Sequence, residues 1–401
     1  MTTPNKKKKK EFALLPSQFL DIYSSTFDKP YFERRPLAWN ITSKQLIRVP
    51  FTSCKMYWFN VCVVVMAMNG TLLSVLLWRQ YRYGSNSTWI VSFFPVVTTL
   101  ILAAFLLTVM FAYWSSGVAD LVGKMIALER RLMTESLPHI RKQVPCYKTL
   151  VRFMKFQNYF IIFFCFYASA VGTLTDLCPH GFIMTEYFGA YLAKYWILRW
   201  TVKTASFVIM TVGLLESNQM TIMSTTVISS ILLPWERITI LVANLSYATK
   251  SQFNNVAWNY RQMQVVAIIG RKIVMTMLSI IFVGWLIVIS GFNYVTLKLY
   301  GKMPFVVYIV APYISALITV VVYLLLPALI SIHTKWKDGL GNLKLGKVRK
   351  SEERMIVSSI PIWGLECGLS ATSFYRIEED YKAEFFMNVV NNTWNLLLTF
   401  P

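Results

Sequence analysis

The carboxyl-terminal stretch of the sequence carries a polar stripe through an otherwise apolar run. Asn388, Asn392, Asn395 and Thr399 recur at the spacing that places side chains on one face of a helix, and Leu396 lies close beside that face. Amide groups that face hydrocarbon are costly, so these side chains should face other helices or water. A partly polar stripe on an apolar helix is typical of a pore lining.

Four carboxylates surround the start of this stretch: Glu378, Glu379, Asp380 and Glu384. If they are repeated around an oligomeric axis, they would raise the local concentration of cations at the cytoplasmic mouth of a span. A solvated helix start explains them equally well, because acidic residues favour the positive end of the helix dipole. Both interpretations stay open from the sequence.

Aromatic residues cluster toward the predicted outer halves of several spans. Belts of aromatic residues at the membrane interface, or simple helix packing, account for such clusters. The sharper hypothesis is an apolar pocket with a few polar groups for a small organic ligand. The residues that would line it are Trp89, Phe93, Phe94, Phe166, Tyr167, Tyr191, Tyr195 and Tyr308, with Phe305 and Tyr313 nearby in the sequence.

Catalytic and metal-binding patterns are absent from the sequence. It has no glycine-rich phosphate cradle and no nucleophile motif with supporting context. The six cysteines are scattered, and the three histidines are not spaced to share a metal with them. We therefore expect neither an enzyme nor a protein that needs a metal or cofactor.

The composition indicates a membrane protein. Hydrophobic residues make up 55% of the 401 residues, charged residues make up only 15%, and the mean hydropathy is +0.48. Soluble domains contain about a quarter charged residues. The formal charge of +21 could suggest nucleic-acid binding, but Lys and Arg cluster between long apolar runs, where membrane topology places them. This pattern excludes nucleic acid as a partner and makes membrane lipid the expected one.

Seven apolar runs are long enough for helices that cross a bilayer core, which needs about 20 residues each. Helices are the expected form, because strands in lipid must close into a barrel. The fold class predicted is thus an all-α membrane protein with seven transmembrane helices. The runs lie at about 57–78, 88–114, 157–177, 187–232, 272–297, 304–332 and 381–400.

The distribution of Lys and Arg predicts the orientation of these spans. The amino-terminal stretch and the second, fourth and sixth connections are rich in Lys and Arg, so they should lie in the cytoplasm. With seven spans, the amino end is then cytoplasmic and the carboxyl end is outside. The first outer connection contains the glycosylation acceptor Asn86 in an Asn-Ser-Thr sequence.

One further segment, residues 355–375, is apolar enough to be tested as an eighth span. Pro361, Gly364, Glu366 and Gly368 within it favour a short interfacial or protein-packed helix instead.

The carboxyl-terminal residues resemble those of the arthropod gustatory and odorant receptor superfamily. That family ends with Thr-Tyr, five hydrophobic residues and Gln-Phe. Here Asn392-Thr393 stands for Thr-Tyr and Thr399-Phe400 for Gln-Phe, preceded by the approach Ser370-Ala-Thr-Ser-Phe-Tyr-Arg-Ile377. Length and register match, while Phe400 alone is identical at the two ends of the motif.

The resemblance implies a tetrameric ligand-gated cation channel whose last helices line a central pore. Leu396 and Phe400 would form a hydrophobic constriction near the outer mouth, Asn392 and Asn395 would line or support the pore, and Thr399 stands where the family has Gln. A small organic odorant or tastant would open the channel, and monovalent and divalent cations would then pass through it. The subunit would form a homotetramer, or a heterotetramer with an odorant co-receptor, in the plasma membrane of sensory neurons.

The same resemblance predicts four parts of the chain. Residues 1–56 would be a cytoplasmic segment, 57–332 a six-helix ligand-sensing domain, 333–380 a cytoplasmic anchor segment and 381–401 the pore-lining helix. Two alternatives remain at this point: a seven-helix receptor that signals without conducting ions, and a transporter.

Overall fold

The computed structural model describes residues 14–29, 35–71, 81, 88–136, 144–145, 147–174, 184, 188–191, 193–244, 250–302, 305–345, 351–369 and 372–399. Most of these residues are helical. The helices and the one 3₁₀ turn are α1 Leu15–Phe27, the turn Phe51–Cys54, α2 Lys55–Phe59, which continues as a π-helix over Asn60–Thr71, α3 Thr88–Tyr113, α4 Ser115–Glu135, α5 Lys148–Leu174, α6 Trp196–Ala243, α7 Lys250–Lys298, α8 Phe305–Tyr308, α9 Val310–Leu345, α10 Ser351–Ser358 and α11 Tyr381–Thr399. Two short antiparallel hairpins complete the fold: β1 Leu37–Asn40 with β2 Gln45–Arg48, and β3 Glu366–Leu369 with β4 Thr372–Arg376.

Several helices are long and apolar enough to cross a membrane. Within the described ranges these are α5, α6, the Phe253–Lys298 part of α7 and the Val310–Asn342 part of α9. A fifth arises if Ile101–Tyr113 and α4, which meet at a bend of 76°, count as one span. The chain is therefore a multi-pass membrane protein of the all-α class. The total of seven spans and the sides of the two termini stay predictions.

The longest helices extend well beyond a bilayer. α6 has 48 residues and α7 has 49, so each is about 70 Å long at about 1.5 Å per residue. The hydrocarbon core is only about 30 Å thick. The predicted span 187–232 needs a correction, since α6 begins at Trp196 and continues to Ala243. The predicted span 272–297 is likewise only one part of α7.

Segment 355–375 is not a single helix. α10 ends at Ser358, and β3 and β4 form a hairpin with a bulge between Cys367 and Gly368. The expectation of a short helix is thus wrong beyond Ser358. A methyl group on Gly368 would collide with the carbonyl oxygen of Thr372, so the bulge requires glycine at this position.

An ionic cluster fastens this hairpin to α7. The carboxylate of Glu366 accepts from Arg271 at 2.7 Å and from Arg376 at 3.2 Å. Burial alone would raise the pKa of Glu366, but the hydrogen bonds and charges of the two guanidinium groups outweigh it and lower that pKa. The hairpin that precedes α11 is therefore held in a fixed position beside α7.

The described part of the amino-terminal segment packs into the helical bundle. Leu15, Phe19 and Leu20 of α1 are buried, and α1 lies against α5 and α6. The side chain of Arg35 is buried, lies over the rings of Tyr23 and Phe27, and donates a hydrogen bond to Gln219 of α6. Its placement as a purely cytoplasmic segment stays a prediction.

α6, α7 and α9 share an aromatic core at residues that lie outside the predicted spans. The rings of Trp235 and Trp363 stack at 4.4 Å, and Trp336 meets Tyr260 edge-on at 5.2 Å. The indole of Trp336 also donates to the carbonyl oxygen of Pro361 at 3.1 Å. This core holds the residues before β3 against the long helices.

Candidate functional site

One face of α11 is buried against α7. Phe385, Val389 and Thr393 are buried, and Leu396 and Leu397 are half-buried among apolar residues of α7. The hydroxyl of Ser290 donates to the backbone carbonyl of Val389 at 3.3 Å. The spacing of three or four residues between these side chains is what a single helical face requires.

A second face of α11 is polar and exposed. It faces away from the chain's own bundle, and its side chains follow one another at helical spacing over the whole length of the helix. Its members are Glu384, Asn388, Asn391, Asn392, Asn395 and Thr399. The predicted polar stripe is therefore present on an open surface of the single chain.

A third face of α11 is apolar and equally exposed. Met387, Val390, Trp394 and Leu398 have exposed fractions of 59%, 61%, 62% and 66%. This face lies between the buried face and the polar face around the helix. Two adjacent open faces of opposite character indicate two different environments, one wet and one apolar.

The structure places Leu396 of the predicted constriction and the neighbouring Thr399 on different faces of α11. Leu396 is half-buried against α7 and does not share the polar face, whereas Thr399 is exposed on it. Phe400 lies outside the described residues. The apolar face was not identified from the sequence, although the spacing of Val390, Trp394 and Leu398 could have revealed it.

The four carboxylates at the start of α11 are all exposed, but they separate into two groups. Glu379 accepts a hydrogen bond from the hydroxyl of Thr334 on α9 at 3.2 Å. Glu378, Asp380 and Glu384 instead line one cavity between α11 and α7. Attraction of cations by these groups stays a prediction.

The predicted ligand-binding aromatics have separate surroundings. Phe166 and Tyr191 are exposed, and the ring of Tyr195 lies under the ammonium group of Lys194 at 5.6 Å. Trp89, Phe93 and Phe94 lie on α3, but their side chains are not among those described, and Asn86 lies outside the described residues. The ring of Tyr167 stacks on that of Phe163. The hydroxyl of Tyr308 donates a hydrogen bond to the carbonyl oxygen of Thr296 at 3.0 Å.

A different aromatic group meets between α5 and α9. The ring of Tyr313 lies 4.9 Å from that of Phe164 and 5.1 Å from that of Phe160. The Tyr313 hydroxyl is buried and has no hydrogen-bond partner among the described residues. An unpaired buried hydroxyl costs about 1–3 kcal/mol. Such a group in an aromatic cluster could donate a hydrogen bond to a small organic molecule that carries an oxygen acceptor.

Within the described residues, no three or more His, Cys, Asp or Glu side chains lie close enough to hold a metal ion. The polar chemistry of the candidate site consequently comes from amides, hydroxyls and carboxylates.

Comparison with known proteins identifies the fold. Two solved structures of the insect olfactory receptor OR5 from Machilis hrabei match along most of the chain. One has 12% sequence identity and a TM-score of 0.56, and covers 96% of this chain and 96% of its own. The other, in complex with eugenol, has 10% identity and a TM-score of 0.61, and covers 96% of this chain and 97% of its own.

The fold is that of an insect olfactory receptor. No family model matches the sequence, and no curated protein sequence matches it. At this level of identity the likeness shows the fold alone, and function must be argued from the site.

Proposed function

We propose that the chain is a subunit of a chemosensory, ligand-gated, non-selective cation channel in the plasma membrane. The observation that carries this proposal is the three-faced helix α11 in a chain with the olfactory-receptor fold. A pore helix needs one face for its own subunit, one for water and one for its neighbour. The buried, polar and apolar faces of α11 correspond to these three needs.

Closed rotational symmetry explains how the two open faces would be used. Four copies around one axis would turn Asn388, Asn392 and Asn395 toward the axis, and Val390 and Trp394 toward the adjacent subunit. Amides around a central path replace part of the water shell of passing ions. The carboxylates Glu378, Asp380 and Glu384 would raise the concentration of cations at one mouth.

The ligand in this proposal is a small organic molecule that binds at the Tyr313 hydroxyl between α5 and α9. Tyr313 shares α9 with Tyr323, whose ring lies 3.9 Å from the ammonium group of Lys382 on α11. A shift of α9 would thus reach the start of α11 directly. The ligand favours opening to the extent that it binds the open state more tightly than the closed one.

Cysteine accessibility under current recording tests the proposal. Asn388→Cys, Asn392→Cys and Asn395→Cys should react with a water-soluble cationic thiol reagent, and the reaction should reduce a ligand-evoked current. Val389→Cys is the matched control, because the side chain of Val389 is buried against α7. The chain should be expressed alone and then with an odorant co-receptor, since a homotetramer and a heterotetramer are both compatible with these faces.

Reaction at Val389→Cys with none at the asparagine positions would refute the pore assignment. Surface expression without any current in either setting would instead favour a receptor that signals without conducting ions. Surface expression can be followed through glycosylation at Asn86.

A further inference from the structure

A cavity of about 510 Å³ lies where α11 begins. Four aromatic rings form much of its wall: Phe282 of α7, Tyr375 of β4, and Tyr381 and Phe385 of α11. The ring of Phe282 meets that of Tyr381 at 5.5 Å and that of Phe385 at 5.9 Å, both edge-on. Tyr375 stacks on Tyr381 at 5.2 Å, and their hydroxyl oxygens are 2.8 Å apart. The aromatic wall is thus held together by its own contacts.

The charge of the cavity is negative. The carboxylates of Glu378, Asp380 and Glu384 line it, together with the guanidinium group of Arg376. Arg376 also donates a hydrogen bond to Glu366 at 3.2 Å, so part of its charge is already compensated. The ammonium group of Lys382 lies over the Tyr323 ring on α9 instead. A cation that enters the cavity would meet three carboxylates.

The cavity lies at one end of the predicted span 381–400. α11 has 19 residues and is therefore about 28 Å long, close to the thickness of a hydrocarbon core of about 30 Å. Beside it, α7 runs in the same direction, because Phe282 meets Tyr381 whereas Leu299 lies in the cluster that Leu396 and Leu397 join. The distribution of Lys and Arg predicts that this end of the span faces the cytoplasm.

We propose that this cavity binds organic cations of the aryl-alkyl or quaternary ammonium class, which enter from the cytoplasmic side. Aromatic faces and carboxylates together attract a poorly hydrated ammonium group that carries apolar substituents. A hydrated metal ion makes no use of the aromatic wall, and an anion would be repelled by the carboxylates. The binding does not depend on conduction, whereas the block of current described below rests on the proposed channel function.

Binding is tested on the purified full-length protein in lipid nanodiscs by titration calorimetry. The probe is benzyltrimethylammonium, and the control ligand is neopentylbenzene, which has the same shape without the charge. We expect the ammonium compound to bind and neopentylbenzene to bind at least about tenfold more weakly, as the loss of a desolvated cation–π contact predicts. Equal affinity for the two, or no binding of the ammonium compound, would overturn the proposal.

Variants locate the binding. Tyr381→Leu and Glu384→Gln should each weaken the affinity for benzyltrimethylammonium by about tenfold. Tyr381→Phe keeps the ring and should keep the affinity, which separates loss of recognition from loss of folding. Glu352→Gln is the matched charge control, because Glu352 is exposed on α10 and does not line the cavity. Equal loss in Glu352→Gln and Glu384→Gln would refute the site.

Recording from inside-out patches connects the site to conduction. Benzyltrimethylammonium on the cytoplasmic side should reduce a ligand-evoked current, and Tyr381→Leu should require about tenfold more of it. Calorimetric binding in a protein that passes no current would leave the cavity site standing and contradict the channel proposal. A ligand-evoked current in a protein that does not bind the ammonium compound would contradict the cavity site alone.

Discussion

The hydroxyl of Tyr313 offers a test in which stability and ligand sensitivity change in opposite directions. Tyr313→Phe keeps the ring contacts with Phe160 and Phe164 and removes a buried hydroxyl that has no partner among the described residues. Removal of such a group should raise the free energy of unfolding by about 1 kcal/mol. The ligand concentration for half-maximal current should rise about tenfold, because a hydrogen bond to the ligand is lost.

The matched control is Tyr308→Phe, which removes a hydroxyl that does donate, to the carbonyl oxygen of Thr296. This variant should lower thermal stability in detergent, whereas Tyr313→Phe should raise it. A melting temperature lowered equally in both variants would mean that the Tyr313 hydroxyl has a structural partner, and an unchanged dose–response curve would remove Tyr313 from the ligand site.

Glu366 makes the hairpin before α11 sensitive to acid. Its pKa is lowered from an ordinary value near 4.5, since the hydrogen bonds of Arg271 and Arg376 outweigh the effect of burial. A carboxylate with a lowered pKa stabilises the fold above the ordinary pKa, and this contribution disappears as the pH falls through the folded-state pKa. Thermal stability of the native chain should therefore decrease below pH 4.5 more steeply than that of Glu366→Gln. Parallel pH profiles for the two proteins would contradict this role of Glu366.

At the scale of elements, the apolar face of α11 predicts an effect on assembly rather than on folding. Val390→Asn places an amide on a face that we assign to the neighbouring subunit, and the fraction of tetramer should fall. Asn395→Ser, on the polar face, should leave that fraction unchanged. Mass photometry in a mild detergent measures both. A tetramer that survives Val390→Asn would assign the face to lipid and require another contact between subunits.

The sequence predicts some elements well and others poorly, for physical reasons. The predicted span 88–114 coincides with α3 over Thr88–Tyr113, because a long apolar run specifies a helix able to cross a bilayer. The hairpin of β3 and β4 was not predicted, since it depends on a glycine bulge and on the ion pairs of Glu366 with Arg271 and Arg376. Contacts between distant residues of this kind leave no local pattern.

The candidate site likewise has one part that the sequence predicts and another that it does not. The polar stripe of α11 follows from spacing alone, and the structure places it on an open face. The aromatic cluster around Tyr313 could not be predicted from the sequence, because Phe160 and Tyr313 are far apart in the chain and meet only when α5 packs near α9. Tyr191 and Tyr195 are of the same residue type, but the structure leaves them exposed.

At the scale of the whole molecule, the arrangement of helices is retained at 10–12% identity to the two olfactory-receptor structures. Packing tolerates exchange of one apolar residue for another of similar volume, so a fold persists after sequence motifs have decayed. In the carboxyl-terminal motif of the superfamily that the chain resembles, Phe400 alone matches at the ends. Length and hydropathy therefore predicted the all-α membrane fold better than the motif did. The orientation inferred from Lys and Arg stays a prediction.

A buried ion pair joins α4 to α6. It yields a prediction for the stability of the whole chain. Arg237 of α6 and Glu129 of α4 lie 2.8 Å apart, with side chains 6% and 0% exposed. Loss of one partner leaves an uncompensated buried charge, so Arg237→Met and Glu129→Leu should each destabilise the protein by about 3–5 kcal/mol. The double variant removes both charges and should regain most of that stability. Thermal unfolding of the purified chain measures all three proteins, and a double variant as unstable as the sum of the single ones would show that the two side chains act independently.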